Sequence, residues 1–314
     1  MKGLQPLLFY ERNRSMPHVV HIVTVQEAGR TVKSIALKEM RLSRGMYSRL
    51  KFSGGILLDG QPSHADVRVR AGQTLTAEWE DRAALPQEEH FIPLFVPYQD
   101  EFYCVVEKPA PLPTLSSARQ QGPTLENVLY RHWGCPQDYV FRPVNRLDKG
   151  TSGLMAVALN AHAQQLLQRQ LHTDAFLREY RAICHGAPPE KEGEIDLPIG
   201  KAEEGIRREV RPDGARAVTH YWVEEEKNGL SLVRLRLKTG RTHQIRVHLS
   251  ALGCPIVGDY VYGQAHPALP GRFALHACAL RFVHPLTGEE VSVCSPLPPA
   301  LSQLLSAPEN VNDP

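Results

Sequence analysis

Asn145-Arg146-Leu147-Asp148-Lys149-Gly150-Thr151-Ser152-Gly153-Leu154 is a short polar turn set between two apolar runs, Tyr139 to Val144 and Leu154 to Leu159. The pattern predicts a strand running into Asp148 and a second strand leaving after Gly153, which places one carboxylate on a loop at a sheet edge. Rigid strands fix such a loop, so Asp148 is the leading catalytic candidate. Arg146 brings a phosphate-seeking guanidinium to the same loop. Ordinary turn chemistry also accounts for Asp-Lys-Gly-Thr, because Asp caps backbone amides and Gly supplies positive φ. The context of the loop therefore has to decide.

A second stretch supplies that context. Leu237-Lys238-Thr239-Gly240-Arg241-Thr242-His243-Gln244-Ile245-Arg246-Val247-His248-Leu249 reads as a strand end, a turn at Gly240 and a helix with Thr242 as N-cap. Ile245, Leu249 and Leu252 form the apolar stripe of that helix, which leaves Arg241, His243, Gln244 and Arg246 for another use.

Working outward, Phe102 to Glu107 reads as a strand, Thr124 to Trp133 as a helix behind Pro123, and Asn160 to His172 as a helix capped by Asn160. Asn228-Gly229 lies between "AVTHYWVEEEK" and "LSLVRLRLK", the strongest short-range hairpin signal. Pro285-Leu286-Thr287-Gly288 marks another hairpin. Hairpins mixed with helices predict an α+β fold with a mixed, largely antiparallel sheet, not a doubly wound nucleotide fold. Upstream, a strand is expected over Val19 to Val25, helices around Thr31 to Met40 and Ser43 to Phe52, then a hairpin-like pair, "GGILLDGQ" and "ADVRVRAGQTLTAEW". Arg82 to His90, with Pro86, reads as a linker. The polar stretch after Leu305 reads as a frayed tail.

The chain of 314 residues suffices for one large domain and one small one. A formal charge of +2 neither requires nor excludes nucleic acid, because local patches matter more than the sum. One mixed patch holds Lys201, Arg207, Arg208, Arg211 and Arg216 among Glu203, Glu204, Glu209 and Asp213. It reads equally as a solvated loop and as an RNA contact. The 6 cysteines include no C-x-x-C pair and fit a reduced, cytoplasmic setting as structural residues. His243 and His248 lie one residue too far apart to share a helical face as a metal pair, and no catalytic metal is expected. No apolar run has membrane-spanning length, and the first 14 residues lack a signal-peptide pattern.

The first stretch resembles the hallmark H-R-L-D-x-x-T-S-G-L loop of the RluA family of RNA pseudouridine synthases, and the second resembles that family's T-G-R-T-H-Q-I-R-x-H-L motif. Further segments follow in the family's order: "VVEKPAPLP" at 105 to 113, "REYRAICHG" at 178 to 186, "LGCPIVGDYVYG" at 252 to 263, "LHACALRFVHPLTGE" at 275 to 289 and "SPLP" at 295 to 298. Asn145 replaces the usual His of the loop, and Pro111 stands where the opening motif usually has Gly. The first departure bears on how the loop is pinned and the second on the shape of the segment after Lys108.

The resemblance implies an isomerase, an intramolecular transferase that converts uridine in RNA to pseudouridine without a cofactor. Asp148 would act as nucleophile or as the base that starts glycosidic cleavage. Arg246 would pair with it, and Tyr180 would stack on the flipped uracil and help remove the C5 proton. Arg146 would fill the space the uridine leaves. Lys108, Arg241, His243 and Gln244 are the other expected RNA contacts in this part of the chain. Residues between Leu42 and Gly72 resemble those of an S4-type RNA-binding module covering roughly 15 to 80, with Arg41, Arg44, Arg49 and Lys51 on a phosphate-binding helix face. The expected division is 1–85 for this S4-like α/β module and 86–314 for the catalytic domain. An appended module of this kind tilts the substrate toward ribosomal RNA rather than transfer RNA, on a protein expected to be a cytoplasmic monomer with no membrane partner. Two rivals remain. Asp148-Lys149-Gly150-Thr151 looks superficially like the aspartyl nucleophile turn of haloacid-dehalogenase-type phosphatases, which need further carboxylates for Mg²⁺, and an inactive synthase fold would bind RNA without chemistry.

Overall fold

A computed structural model describes residues 18–79, 92–115, 122–136, 139–203 and 206–306. They divide into two compact units, the first holding the residues up to Trp79 with short pieces between Trp133 and Val140 and between Asn160 and Leu166. The expected linker and the boundary at 85/86 lie outside the described residues, as does the polar tail beyond Ser306.

The N-terminal unit is built on β1 (His18–Ile22), α1 (Val32–Lys38), α2 (Arg44–Ser53), β2 (Ile56–Leu58), β3 (Gln61–Pro62) and β4 (Thr74–Glu78). Its antiparallel sheet runs β1-β4-β2-β3. Both helices start where sequence places a cap: Thr31 Oγ1 accepts from Ser34 N at 3.2 Å and Ser43 Oγ from Met46 N at 3.0 Å. Gly54, at φ 77°, ends α2 in the left-handed conformation that glycine adopts without cost. Val32, Ile35 and Ala36 of α1 and Met46, Tyr47 and Leu50 of α2 join Ile56, Leu75 and Ala77 in one apolar core. Burying that face turns Arg44, Arg49 and Lys51 outward, and all three are exposed. The second half of the expected hairpin is shorter than its sequence suggests, since only Thr74–Glu78 of it forms a strand.

The larger unit follows as β5 (Phe95–Gln99), β6 (Tyr103–Lys108), α3 (Leu125–His132), β7 (Ser152–Ala158), α4 (Ala161–Gln168), β8 (Phe176–His185), β9 (Glu192–Asp196), β10 (Ile199–Lys201), β11 (Arg208–Val210), β12 (Val218–Lys227), β13 (Leu230–Leu237), α5 (Gln244–Ala251), β14 (Leu275–Val283), β15 (Glu290–Cys294) and α6 (Pro299–Ser306). Its nine-stranded sheet runs β5-β6-β7-β14-β8-β13-β12-β9, with β15 added on the later part of β14. Every pair is antiparallel except β7 with β14, where His276 faces Ser152 and Ala277 faces Gly153. The largely antiparallel α+β expectation therefore holds. Asn228 and Gly229, at φ 53° and 70°, make the tight turn between β12 and β13, and Pro285 to Gly288 joins β14 to β15.

One expected strand is absent. Phe141 to Val144 meets β7 in one isolated bridge, Pro143 with Val157, flanked by Val144 N to Ala156 O and Ala158 N to Arg142 O, both 2.9 Å. The next ladder donor, Ala156 N, goes to the Asn145 side chain at 3.0 Å, so the pairing stops at this bridge. β7 is buried along its whole length, as a central strand covered on both faces should be. The loop that carries Asp148 thus enters the sheet through a fully buried strand. Among the described residues, no helix is long and apolar enough to cross a membrane.

Candidate active site

The loop before β7 is held from three sides. Thr114 Oγ1 donates to Leu147 O at 2.7 Å, and Leu112 N donates to Lys149 O at 2.9 Å. Asn145, buried, accepts from Ala156 N at 3.0 Å and so ties the loop to β7. Its Nδ2 is buried without a partner among the described residues, a polar cost at the position that departs from the family pattern. Lys108 lies fully buried beneath, its Nζ donating to Pro109 O, Leu112 O and Lys149 O at 3.0, 2.7 and 3.4 Å. Three carbonyls match the three donors of an ammonium. Burial pushes that ammonium down to about 7, against the pull of Asp148. Lys108 is therefore a clamp under the loop and not the expected RNA contact.

Gly150 shows why this turn needs glycine, and the reason differs from the expected one. Its φ is not positive; a Cβ there would sit 2.5 Å from the Phe273 ring. Phe273 in turn lies 4.2 Å under the guanidinium of Arg246.

Arg246 projects from α5, a helix with almost no exposed side. Gln244, Ile245, Arg246, Val247, His248 and Leu249 are all buried. The Arg246 guanidinium gives Nε and NH2 to Asp259 at 2.6 and 2.8 Å, and NH1 to Asp148 Oδ2 at 3.2 Å. Asp259, fully buried, also accepts from Val261 N and Tyr262 N at 3.1 and 3.3 Å. Burial works against the Arg246 charge, but the hydrogen-bonded Asp259 and the nearby Asp148 outweigh it and hold the guanidinium above its ordinary value. Losing either partner of a buried pair costs about 3–5 kcal/mol. Arg246 is thereby fixed at one end so that its other end presents a donor to Asp148.

His243 approaches the same oxygen, with Nε2 3.9 Å from Asp148 Oδ2. Its Nδ1 is 2.8 Å from the Tyr262 hydroxyl, which already accepts from Arg208 N at 2.8 Å. A phenol hydroxyl both donates and accepts, so it holds Nδ1 in either tautomer of the ring, while Nε2 faces the carboxylate. Burial lowers the His243 pKa, with Asp148 opposing, which favours the neutral ring. Arg246 and His243 thus both approach Oδ2, Arg246 within hydrogen-bond distance. Among the described residues no hydrogen bond reaches Oδ1.

His243, not Thr242, is the N-cap of α5, and it stands at φ 60° with no capping bond of its own. The turn is stapled instead by Gln244, which accepts from Arg241 N and Thr239 Oγ1 at 2.9 and 2.7 Å and donates to Val218 O and Thr219 Oγ1 at 3.0 and 2.9 Å. With its amide fully committed and buried, Gln244 is a structural staple and not an RNA contact.

Asp148, Tyr180, Arg146, Arg241, His243 and Arg178 line one cavity of about 530 Å³, within the roughly 300–1,000 Å³ of small-ligand sites. Tyr180 is buried in the middle of β8, and burial raises its phenol pKa, Arg178 opposing and Asp148 adding to the shift. Arg146 and Arg241 are exposed at the cavity, Arg241 giving Nε to Arg216 O at 2.9 Å. In the mixed-charge patch, Arg211 pairs with Asp213 and Arg216 with Asp196, so part of that charge is already spent. The phosphatase rival fails on Asp259, whose two oxygens are bound to Arg246 and unavailable to Mg²⁺. No group of three or more His, Cys, Asp or Glu among the described residues could hold a metal.

Sequence reading brought together Asp148, Tyr180 and Arg246, and it missed Asp259, Tyr262, Phe273 and Arg178. The Gly258-Asp259 pair was visible, but nothing local says that its carboxylate turns inward to a helix 13 residues earlier.

The sequence pattern of the family described as RNA pseudouridylate synthase matches residues 102–251. A Bacillus subtilis protein named RNA pseudouridine synthase YjbO is 35% identical over 279 residues, covering 88% of this chain and 98% of its own. Ribosomal large subunit pseudouridine synthase D of Xanthomonas campestris pv. campestris is 37% identical over 307 residues, 91% of each chain. Among solved structures, human RNA pseudouridylate synthase domain containing 1 superposes with a TM-score of 0.53 at 30% identity, covering 71% of this chain and 97% of that one.

Proposed function

Since the chain belongs to the RluA family of RNA pseudouridine synthases, we propose that it isomerises a uridine of large-subunit ribosomal RNA, with Asp148 as the reacting carboxylate. The observation that carries this is the Asp148 carboxylate itself, gripped at Oδ2 by Arg246 at 3.2 Å inside a nucleoside-sized cavity that also holds Tyr180. Relatives named ribosomal large subunit pseudouridine synthase D, from Xanthomonas and from Vibrio vulnificus at 38% identity, support the ribosomal substrate.

The reaction breaks N1–C1′, turns the uracil and joins C5 to C1′, so one proton leaves C5 and N1 gains one. Oδ1 is the oxygen left for the nucleoside. A preorganised carboxylate of this kind needs no reorientation when the glycosidic bond breaks. The Tyr180 ring backs the uracil as it turns. Burial keeps its hydroxyl protonated at neutral pH, so it acts on the C5 proton only as a relay. Arg146 takes the place vacated when the uridine leaves its stack, an event costing a few kcal/mol. The N-terminal unit adds affinity through the exposed Arg44, Arg49 and Lys51 of α2, the sequence-independent mode of holding a phosphate backbone.

Tritium release from RNA labelled at uridine C5 tests the reading. Ribosomal RNA from cells lacking the protein should release tritium with wild type and none with Asp148→Asn, which removes the charge at nearly constant volume. Release at the wild-type rate by that variant, or release from transfer RNA alone, would contradict it.

A further inference from the structure

β8 alternates between two environments. Phe176, Arg178, Tyr180 and Ala182 lie on its covered side, while Glu179 lies on the other. There Glu179 is engaged by Arg236 at 2.6 Å and Arg234 at 3.5 Å. The carboxylate nearest to Arg178 in sequence is therefore spent on the far face of the sheet.

Arg178 is only 6% exposed, yet it lines the cavity with Asp148 and Tyr180. A guanidinium has five N–H donors. Among the described residues this one makes a single hydrogen bond, NH2 to Leu171 O at 3.1 Å, and its Nε is buried with no acceptor. No carboxylate of the described residues pairs with it; its other partner is the Phe176 ring at 5.8 Å. Arg246, in the same cavity, has two carboxylates. A Cβ on Gly240 would come within 2.9 Å of Arg178 NH1, so glycine at that position keeps room for the guanidinium.

A buried cation without an anion is costly, and it persists where a ligand supplies the missing charge. A uridine base and its ribose carry none. The anion that this substrate brings into the cavity is a phosphodiester. We infer that Arg178 is the protein half of a phosphate subsite, pairing through its guanidinium with a phosphodiester oxygen of the RNA strand beside the reacting uridine. This rests on the proposed RNA reaction and adds to it a contact that the flipped nucleotide makes inside the cavity, distinct from the exposed Arg146 and Arg241. A fork of planar donors suits two oxygens of one phosphate.

The test is a cycle between protein and RNA. A synthetic stem-loop with one isomerised uridine is prepared with a neutral methylphosphonate in place of the phosphate on its 5′ side, then on its 3′ side. kcat/KM is measured by tritium release for wild type, Arg178→Gln and Arg178→Lys, with melting curves to verify folding. One of the two methylphosphonates should cost wild type roughly 10- to 100-fold, the size of a charge-assisted contact, and cost Arg178→Gln about two-fold or less. Arg178→Lys should lie between them, keeping charge without the fork. If Arg178→Gln fails to fold, the lysine variant carries the cycle, and a penalty unchanged from wild type overturns the subsite. Equal penalties in all three proteins at both positions overturn it as well and leave Arg178 a packing residue. Wild type that turns over no unmodified RNA strikes the functional reading itself, so the two failures are separable.

Discussion

α2 and α5 are both short helices rich in basic residues, and they use their charge in opposite ways. α2 buries Met46, Tyr47 and Leu50 and leaves Arg44, Arg49 and Lys51 in solvent. α5 buries Arg246 and His248 along with its apolar residues, and Arg246 is fixed by Asp259 before it meets Asp148. Solvent-exposed cations are adaptable, screened by salt and individually weak. A buried, bidentate guanidinium is committed to one geometry and is costly to disturb. The same residue type thus serves loose attraction on one helix and positional chemistry on the other.

The most severe break of the α5 arrangement is Asp259→Asn. It removes a charge that no substrate touches, leaving Arg246 with Asp148 alone. A loss of about 3–5 kcal/mol of stability is expected, read as a lower urea midpoint. In protein that remains folded, kcat should fall by about 100-fold while KM changes little, because the carboxylate, not RNA attraction, is mispositioned. An unchanged kcat would show that Asp148 does not depend on a fixed Arg246.

A pH experiment sharpens the contrast between buried and exposed cations. His276 lies fully buried, its Nδ1 3.0 Å from Ser152 Oγ and its Nε2 3.1 Å from Ser295 Oγ, and burial pushes its pKa down to about 4. Unfolded, it titrates near the ordinary histidine value of ~6.5. The unfolded chain then binds the extra proton between these values, so the contribution is complete above ~6.5 and is lost as pH falls toward about 4. The span amounts to about 3 kcal/mol. Urea midpoints from pH 7 to 4 should fall in wild type, and His276→Gln should flatten that part of the decline. A decline of equal steepness in the variant would assign it to other groups.

The smallest effect belongs to α2. Replacing Arg44, Arg49 and Lys51 together by Gln spares the apolar face, so the unit should fold and turnover on saturating RNA should hold. RNA affinity should weaken, and the slope of log affinity against log salt should flatten by about 0.7–0.9 for each phosphate contact removed. A slope equal to that of wild type would leave α2 a packing helix only.

What the sequence determined by itself is the set of local decisions. Asn160 caps a helix where predicted, Asn228-Gly229 turns a hairpin, and Asp148 sits in a loop feeding a strand. These succeed because capping and tight turns depend on a few neighbouring residues. Tyr139 to Val144 failed as a strand because the Asn145 side chain takes Ala156 N and leaves a single bridge at Pro143, which apolar periodicity cannot show. The site was legible through motifs of consistent order, which located Asp148, Tyr180 and Arg246 without saying what surrounds them. Only the tertiary structure decided that Lys108 and Gln244 face inward, that Asp259 anchors Arg246, and that Arg178 has no carboxylate partner among the described residues. A polar residue reads from sequence as surface, since burial of charge is favourable only with partners. Those partners lie 13 and 98 residues away for Arg246, and one of the three for Lys108 lies 41 away, brought together by the pairing of β6 with β7 and by the turn that follows α5.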